Sequence, residues 1–188
     1  MPPDMENPSA RGRNRWSLPI WGIAGLLLLV PAVAMQFTSE VYWTASDFIV
    51  MGAMLAIACG ALELGARMSS NTSYRAAVGI AIIAAFLTVW VNLAVGMLGA
   101  EGNPANLLFG VVLAVGIVGA LLSWFRARGM ARAMEATALA QAAMTVYALF
   151  GGYAEVVFHI GFFIIPWVLS AQLFRKAARE QVAAGPAG

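Results

Sequence analysis

Charge is scarce in this chain. Of its 188 residues only 11% are Asp, Glu, Lys or Arg, where a soluble domain carries about 25%, and the shortage excludes a water-facing globule. Cysteine occurs once, at Cys59, so no internal disulfide can form. The thiol sits inside an apolar run and reads as a small core residue. Histidine also occurs once, at His159, which rules out haem ligation by two histidines of one chain. No metal-ligand spacing and no phosphate-binding glycine loop is present. Without a reactive constellation the chain reads as non-enzymatic, with no cofactor and no nucleic-acid partner.

Apolar residues are abundant instead, at 61% of the chain. They gather into six stretches, at about Leu18–Gln36, Ser46–Ala66, Arg75–Leu98, Pro104–Phe125, Met130–Phe150 and Ala154–Phe174. Each is near the ~20 residues that a tilted helix needs to cross ~30 Å of hydrocarbon. The cations are distributed unevenly between the connections. Arg11, Arg13 and Arg15 precede the first stretch, and Arg67 and Arg75 flank the second connection. Arg126, Arg128 and Arg132 flank the fourth, and Arg175, Lys176 and Arg179 follow the last. The first, third and fifth connections carry none. This is the positive-inside pattern. It predicts an all-α bundle of six transmembrane helices over residues 16–176, as a single domain with both termini cytoplasmic. The net charge of +2 then reflects flanks that face anionic headgroups.

Residues 1–15, with Pro2, Pro3 and Pro8, read as a disordered cytoplasmic tail, and residues 177–188 as a second tail. A rival reading exists for the first span. Arg11–Arg15, a Leu-rich core and Ala32-Val33-Ala34 imitate a signal peptide with its cleavage site; the apolar run reaches Phe37, which is long for a signal core. Helix starts are marked by Thr44-Ala45-Ser46-Asp47, a capping-box pattern, and by Asn103-Pro104, a cap followed by proline. The second, fourth and sixth stretches each open with a polar residue, an apolar turn and a glycine (Gly52, Gly110, Gly161). That echo fits a repeated two-helix hairpin, or only the common need for a polar helix start.

Polar residues inside hydrocarbon are candidate functional sites. Glu63 lies one turn before Arg67, and Glu135 three residues after Arg132, so structural pairing competes with a proton relay at both. Asp47 is explained by its capping box, and Glu155 by the dipole of the sixth helix. Asn92, within the third span, and Gln141, mid-span in the fifth, must find partners in the bundle, as interhelical contacts or as part of a polar path. His159 could be a single axial ligand to a haem or pigment. The competing reading is a neutral ring hydrogen-bonded to Glu155 or Tyr153. Met51, Met54 and Met97 have no Cys or His beside them and read as packing. Tyr42, Trp43 and Tyr153 form an outer aromatic belt, and Trp16, Trp124 and Phe125 an inner one.

Small residues recur at helical spacing. Gly52, Ala56 and Gly60 form a ladder on the second helix, and Gly116 and Ala120 another on the fourth. Such ladders let helices approach closely, within a chain or between copies. Pro31 and Pro166 predict kinks that free the carbonyls of Leu27 and Phe162.

Four segments carry a resemblance. They are Arg75-Ala-Ala-Val-Gly-Ile-Ala, Trp90-Val-Asn-Leu-Ala-Val-Gly96, Gly102-Asn-Pro-Ala-Asn106 and Arg128-Gly-Met-Ala-Arg132. From about Arg75 to Arg179 the chain resembles a family of uncharacterised small bacterial multi-pass membrane proteins. It is similar, more faintly, to the SPW-repeat membrane proteins, although Ile165-Pro166-Trp167 is its nearest approach to their signature. The resemblance implies a bacterial inner membrane and a helical bundle, and carries no site residues. The expectation is an interaction or accessory subunit that binds itself or another membrane protein. A small-solute or ion transporter with a polar path near Asn92, and a pigment- or haem-associated subunit using His159, are the alternatives.

Overall fold

The computed structural model describes residues 17–100 and 102–185. The expected tail over residues 1–15, and Trp16 of the inner belt, lie outside the described residues. Among those residues all regular structure is helical: α1 Ser17–Phe37, α2 Ala45–Met68, α3 Thr72–Ala94, α4 Leu108–Leu122, α5 Ala127–Phe150, α6 Val157–Phe162 and α7 Ile164–Ala183. Single 3-10 turns, Pro104–Leu107 and Ala154–Val156, lead into α4 and α6. Five segments are long and apolar enough to cross a membrane: Leu18–Phe37, Ala45–Met68, Thr72–Ala94, Pro104–Leu122 and Ala154–Ala183. The fifth expected span, Met130–Phe150, coincides with the helix α5, which is not among these five segments; Arg128, Arg132, Glu135 and Gln141 lie in it.

The chain divides into two compact units, with the boundary between Glu63 and Leu64. In the first, α1 and α2 form an antiparallel hairpin. Trp21 Nε1 donates to Glu63 Oε1 at 3.0 Å, the Cys59 thiol points at the Ile20 carbonyl at 3.9 Å, and a Cβ on Gly52 would meet Leu28 at 3.8 Å. Pro31 lies inside α1, which continues past it without a break.

The second unit packs α3, α4, α5 and the α6–α7 pair. Helix α5 runs antiparallel to α4 along its whole length: Gly129 abuts Ser123, Gly119 abuts Ala133, and Gly116 abuts Thr137. On the other side α7 runs antiparallel to α3. Asn71 donates to Glu180 at 2.8 Å, Tyr74 meets Phe174 edge-on with ring centroids 5.2 Å apart, and Ser170 donates to the Ala77 carbonyl at 2.9 Å. These pairings gather Arg75, Arg126, Arg128, Arg132, Arg175, Lys176 and Arg179 at one end of the unit. Helix α7 continues to Ala183, so the residues expected to begin a tail at 177 are helical.

The expected kink at Pro166 takes the form of a break. The helix is interrupted at Phe163, whose N–H reaches back to Ile160 O at 3.2 Å in a 3-10 turn. The corner between α4 and α5 is also strained. Trp124 and Phe125 have φ of 49° and 56°, a left-handed region that costs a side-chain-bearing residue roughly 1–2 kcal/mol. Phe125 N–H bonds to Ala120 O at 3.2 Å, and Tyr74 Oη donates to Phe125 O at 2.8 Å; these contacts hold the corner.

The distribution of side chains is the reverse of a water-soluble bundle. Leu26, Leu27, Val30, Val111, Ile117, Leu121, Leu149, Ile165 and Leu169 are all exposed. Thr88, Thr137, Gln141 and Ser170 are fully buried. Continuous apolar exteriors of this kind face hydrocarbon. The buried hydroxyls of Thr88 and Thr137 bond to carbonyls one turn back, at Ala84 and Ala133, so they need no partner from another helix.

Close helix approach generates a direct test. A Cβ on Gly119 would lie 2.7 Å from that of Ala133, whereas Gly110 has open space. Gly119→Ala should lower stability by about 1–3 kcal/mol, and Gly110→Ala should be neutral or stabilising by up to about 1 kcal/mol. Thermal unfolding of the two variants in one detergent compares them directly.

Candidate functional site

The most developed polar structure lies at the end of the second unit away from the cations. Helix α3 ends at Ala94, before the expected Leu98, because Gly96 and Gly99 turn the chain with φ of 70° and 81°. Asn92 therefore sits in the last helical turn, not deep within a span. Its Nδ2 donates to Asn106 O at 3.2 Å, and its Oδ1 accepts from Met97 N–H at 3.4 Å. Asn106 is buried; its Oδ1 accepts from Leu98 N–H at 2.8 Å and its Nδ2 donates to Ala100 O at 2.9 Å. Asn103 donates to Leu98 O at 2.7 Å and to Tyr153 Oη at 3.0 Å, and caps Ala105 N–H at 3.0 Å. The three asparagines thus pin Met97, Leu98 and Ala100 of the turn after α3, and Met97 and Leu98 are buried. A Cβ at Gly96 would lie 2.7 Å from Ala100 backbone and 2.8 Å from Asn106 Nδ2, so only glycine fits. The Asn92 amide is consumed in this knot. Asn103 is the expected cap and also ties the loop to Tyr153, whereas Asn106 carried no site expectation; the local signal for it is a cluster of glycines and asparagines between long apolar runs.

Gln141 serves a separate place. It is fully buried, and its Nε2 donates to Ile160 O at 3.0 Å, beside the break before α7. Its Oε1 has no hydrogen bond among the described residues. Asn92 and Gln141 are thus each bound to backbone at different points, and the hydrogen bonds do not join them.

The charged candidates are also dispersed. Asp47 accepts from Thr44 N–H at 2.7 Å and from the Thr44 hydroxyl at 2.8 Å, which fixes the start of α2 as the capping pattern implied. Glu63 accepts from Trp21. Glu135 finds its ion-pair partner in Arg175 on α7, Nε to Oε1 at 2.6 Å, rather than in Arg132 of its own helix. The arrangement is an ion pair without hydrogen-bond alignment. Glu155 is exposed at the turn leading into α6. His159 is exposed, with the edge of Phe158 as its ring contact at 6.1 Å; no hydrogen bond links it to Glu155 or Tyr153.

The two small-residue ladders differ. On α4, Gly116 sits 3.0 Å (as a virtual Cβ) from Thr137 Oγ1, and Ala120 packs on the core, so this ladder is filled by α5. On α2, Ala56 and Gly60 are exposed, and nothing lies within 4 Å of a Cβ built at Gly60. Comparison of the chain with protein-family models, curated proteins and solved structures finds no match in any of them.

Asn106→Ala would strand Leu98 N–H and Ala100 O and should cost about 1–3 kcal/mol, measured as a fall in detergent unfolding midpoint. His159→Gln, at an exposed ring, should change stability by less than about 0.5 kcal/mol in the same assay. A larger loss would reveal a partner for the imidazole. A visible absorption band that disappears with His159 would make it a cofactor ligand.

Proposed function

We propose that this is a non-enzymatic membrane protein of six spans, an interaction or accessory subunit that associates with itself or another membrane protein. The observation that carries the reading is the open ladder on α2. Gly52 lies against Leu28 of α1, and the ladder continues through the exposed Ala56 and Gly60, onto which a partner helix could pack closely. The equivalent ladder on α4 is filled within the chain, which demonstrates the use this sequence makes of such faces.

In this reading α5 is the span that joins the five apolar segments to make six. Its contacts with α4 step through Ser123, Gly119 and Gly116 against Gly129, Ala133 and Thr137. A helix aligned turn by turn with a spanning neighbour traverses the same slab. Its low hydropathy is tolerated because Ala131, Met134, Ala138 and Gln141 are buried against protein rather than lipid. The gathering of cations at one end supports a cytoplasmic assignment for that end and for both termini. A bacterial inner membrane is the setting that the family resemblance implies.

Reporter fusions at both termini should report the cytoplasm; an amino terminus on the far side would reject the six-span topology. Ala56→Leu should weaken an assembly by about tenfold, read as a shift toward single chains in native mass spectra after mild detergent extraction. If neither the spectrum nor the unfolding midpoint changes, the α2 face looks at lipid.

A further inference from the structure

The cationic end of the second unit holds a cleft of about 430 Å³ between α5 and α7. Arg128 and Arg132 enter it from α5, and Arg175 and Arg179 from α7. Within each helix the two arginines are one turn apart, so each pair projects from one face. Ala131 and Ala178 line the cleft between them, and their short side chains leave it hollow. Glu135 pairs with Arg175 and offsets one charge. Arg128, Arg132 and Arg179 have no carboxylate at ion-pair distance among the described residues. Two neighbouring cations are committed elsewhere: Lys176 pairs with Glu180 at 3.8 Å, and Arg75 donates to Ser69 O at 2.8 Å and Ala66 O at 2.7 Å.

Cations that serve only as membrane flanks need to reach headgroups singly. Here four guanidinium groups from two antiparallel helices converge on one hollow; Glu135 offsets Arg175, Glu180 partly offsets Arg179, and Arg128 and Arg132 have no carboxylate partner among the described residues. Guanidinium forks match the oxygens of phosphate in pairs, and basic pockets between helices on the cytoplasmic side suit phosphate-bearing headgroups. We propose that this cleft binds a phosphate ester anion, held by Arg128, Arg132 and Arg179, with the charge of Arg175 offset by Glu135. The phosphate belongs either to an anionic phospholipid headgroup or to a soluble phosphoryl compound. The inference is independent of the α2 association reading, which involves the other unit and another assay.

The full chain is reconstituted in phosphatidylcholine nanodiscs. One arm adds phosphatidylglycerol and measures by native mass spectrometry the lipid retained on the released protein. The other arm titrates inorganic pyrophosphate into discs of phosphatidylcholine alone. Arg132→Gln or Arg179→Gln should weaken binding by about tenfold, with unfolding midpoints unchanged because both side chains are exposed. Lys176→Gln removes the same charge at the same end outside the cleft and should change binding by less than about twofold. Glu135→Gln should tighten binding several-fold, a gain that a folding defect could not produce. Retained phosphatidylglycerol with this variant pattern assigns the lipid source, and pyrophosphate binding with the same pattern assigns the soluble one. No binding in either arm, or equal losses for Lys176→Gln and Arg132→Gln, would overturn the proposal.

Discussion

Alanine and glycine at the faces of α4 and α5 set the distance between these helices, and the second unit is organised around that distance. Gly116 and Gly119 leave room for Thr137 and Ala133, and Ala127, Ala131 and Ala138 keep α5 slim. With α4 on one flank and α7 on the other, α5 is shielded from lipid along its buried faces. A helix so placed can carry Thr137 and Gln141 without presenting them to hydrocarbon. The polar contacts of the interior follow from that enclosure. Gln141 reaches the α6–α7 break, and Glu135 reaches Arg175 across a short gap.

In a hydrocarbon surround every backbone break must be answered from within the protein. At the α6–α7 break the chain turns at Phe163, and Ile160 O accepts from both Phe163 N–H and Gln141 Nε2. At the α4–α5 corner Tyr74 answers the carbonyl of Phe125. At the far end Asn103 and Asn106 answer Leu98 and Ala100. In each case a side chain from a packed helix or an adjoining turn supplies the bond that regular helix would have supplied. Of the residues that the sequence offers as a polar path, Gln141 and Asn92 each donate to a backbone carbonyl, at Ile160 and Asn106.

Features governed by neighbouring residues were legible in the sequence. The five apolar spans follow from run length, the start of α2 from Thr44 and Asp47, the entry to α4 from Asn103-Pro104, and the break before α7 from Pro166. Features governed by distant partners were not. Glu135 has Arg132 close in sequence, yet helix packing delivers Arg175 to it instead. Asn92 looked internal because the apolar run continues through Val95, Met97 and Leu98; two glycines with positive φ end the helix first, and the apolar residues beyond it are buried as loop. The hydropathy of α5 is misleading for a related reason. Composition reports what a helix could face, whereas packing decides what it does face.

The first unit shows what the bilayer permits. Its buried apolar side chains are Ala24, Pro31, Leu55 and Cys59 among the described residues, too few to hold a two-helix unit together in water, where small domains need a substantial core. In a membrane each helix satisfies its own backbone and is stable before it meets a neighbour. The hairpin therefore needs only a few side-chain contacts, such as Trp21 with Glu63, to set its register. Packing capacity that the second unit spends on itself is left open on α2. Exposure of Ala56 and Gly60 on α2 is then compatible with a folded hairpin, because the register rests on contacts made elsewhere on the helix.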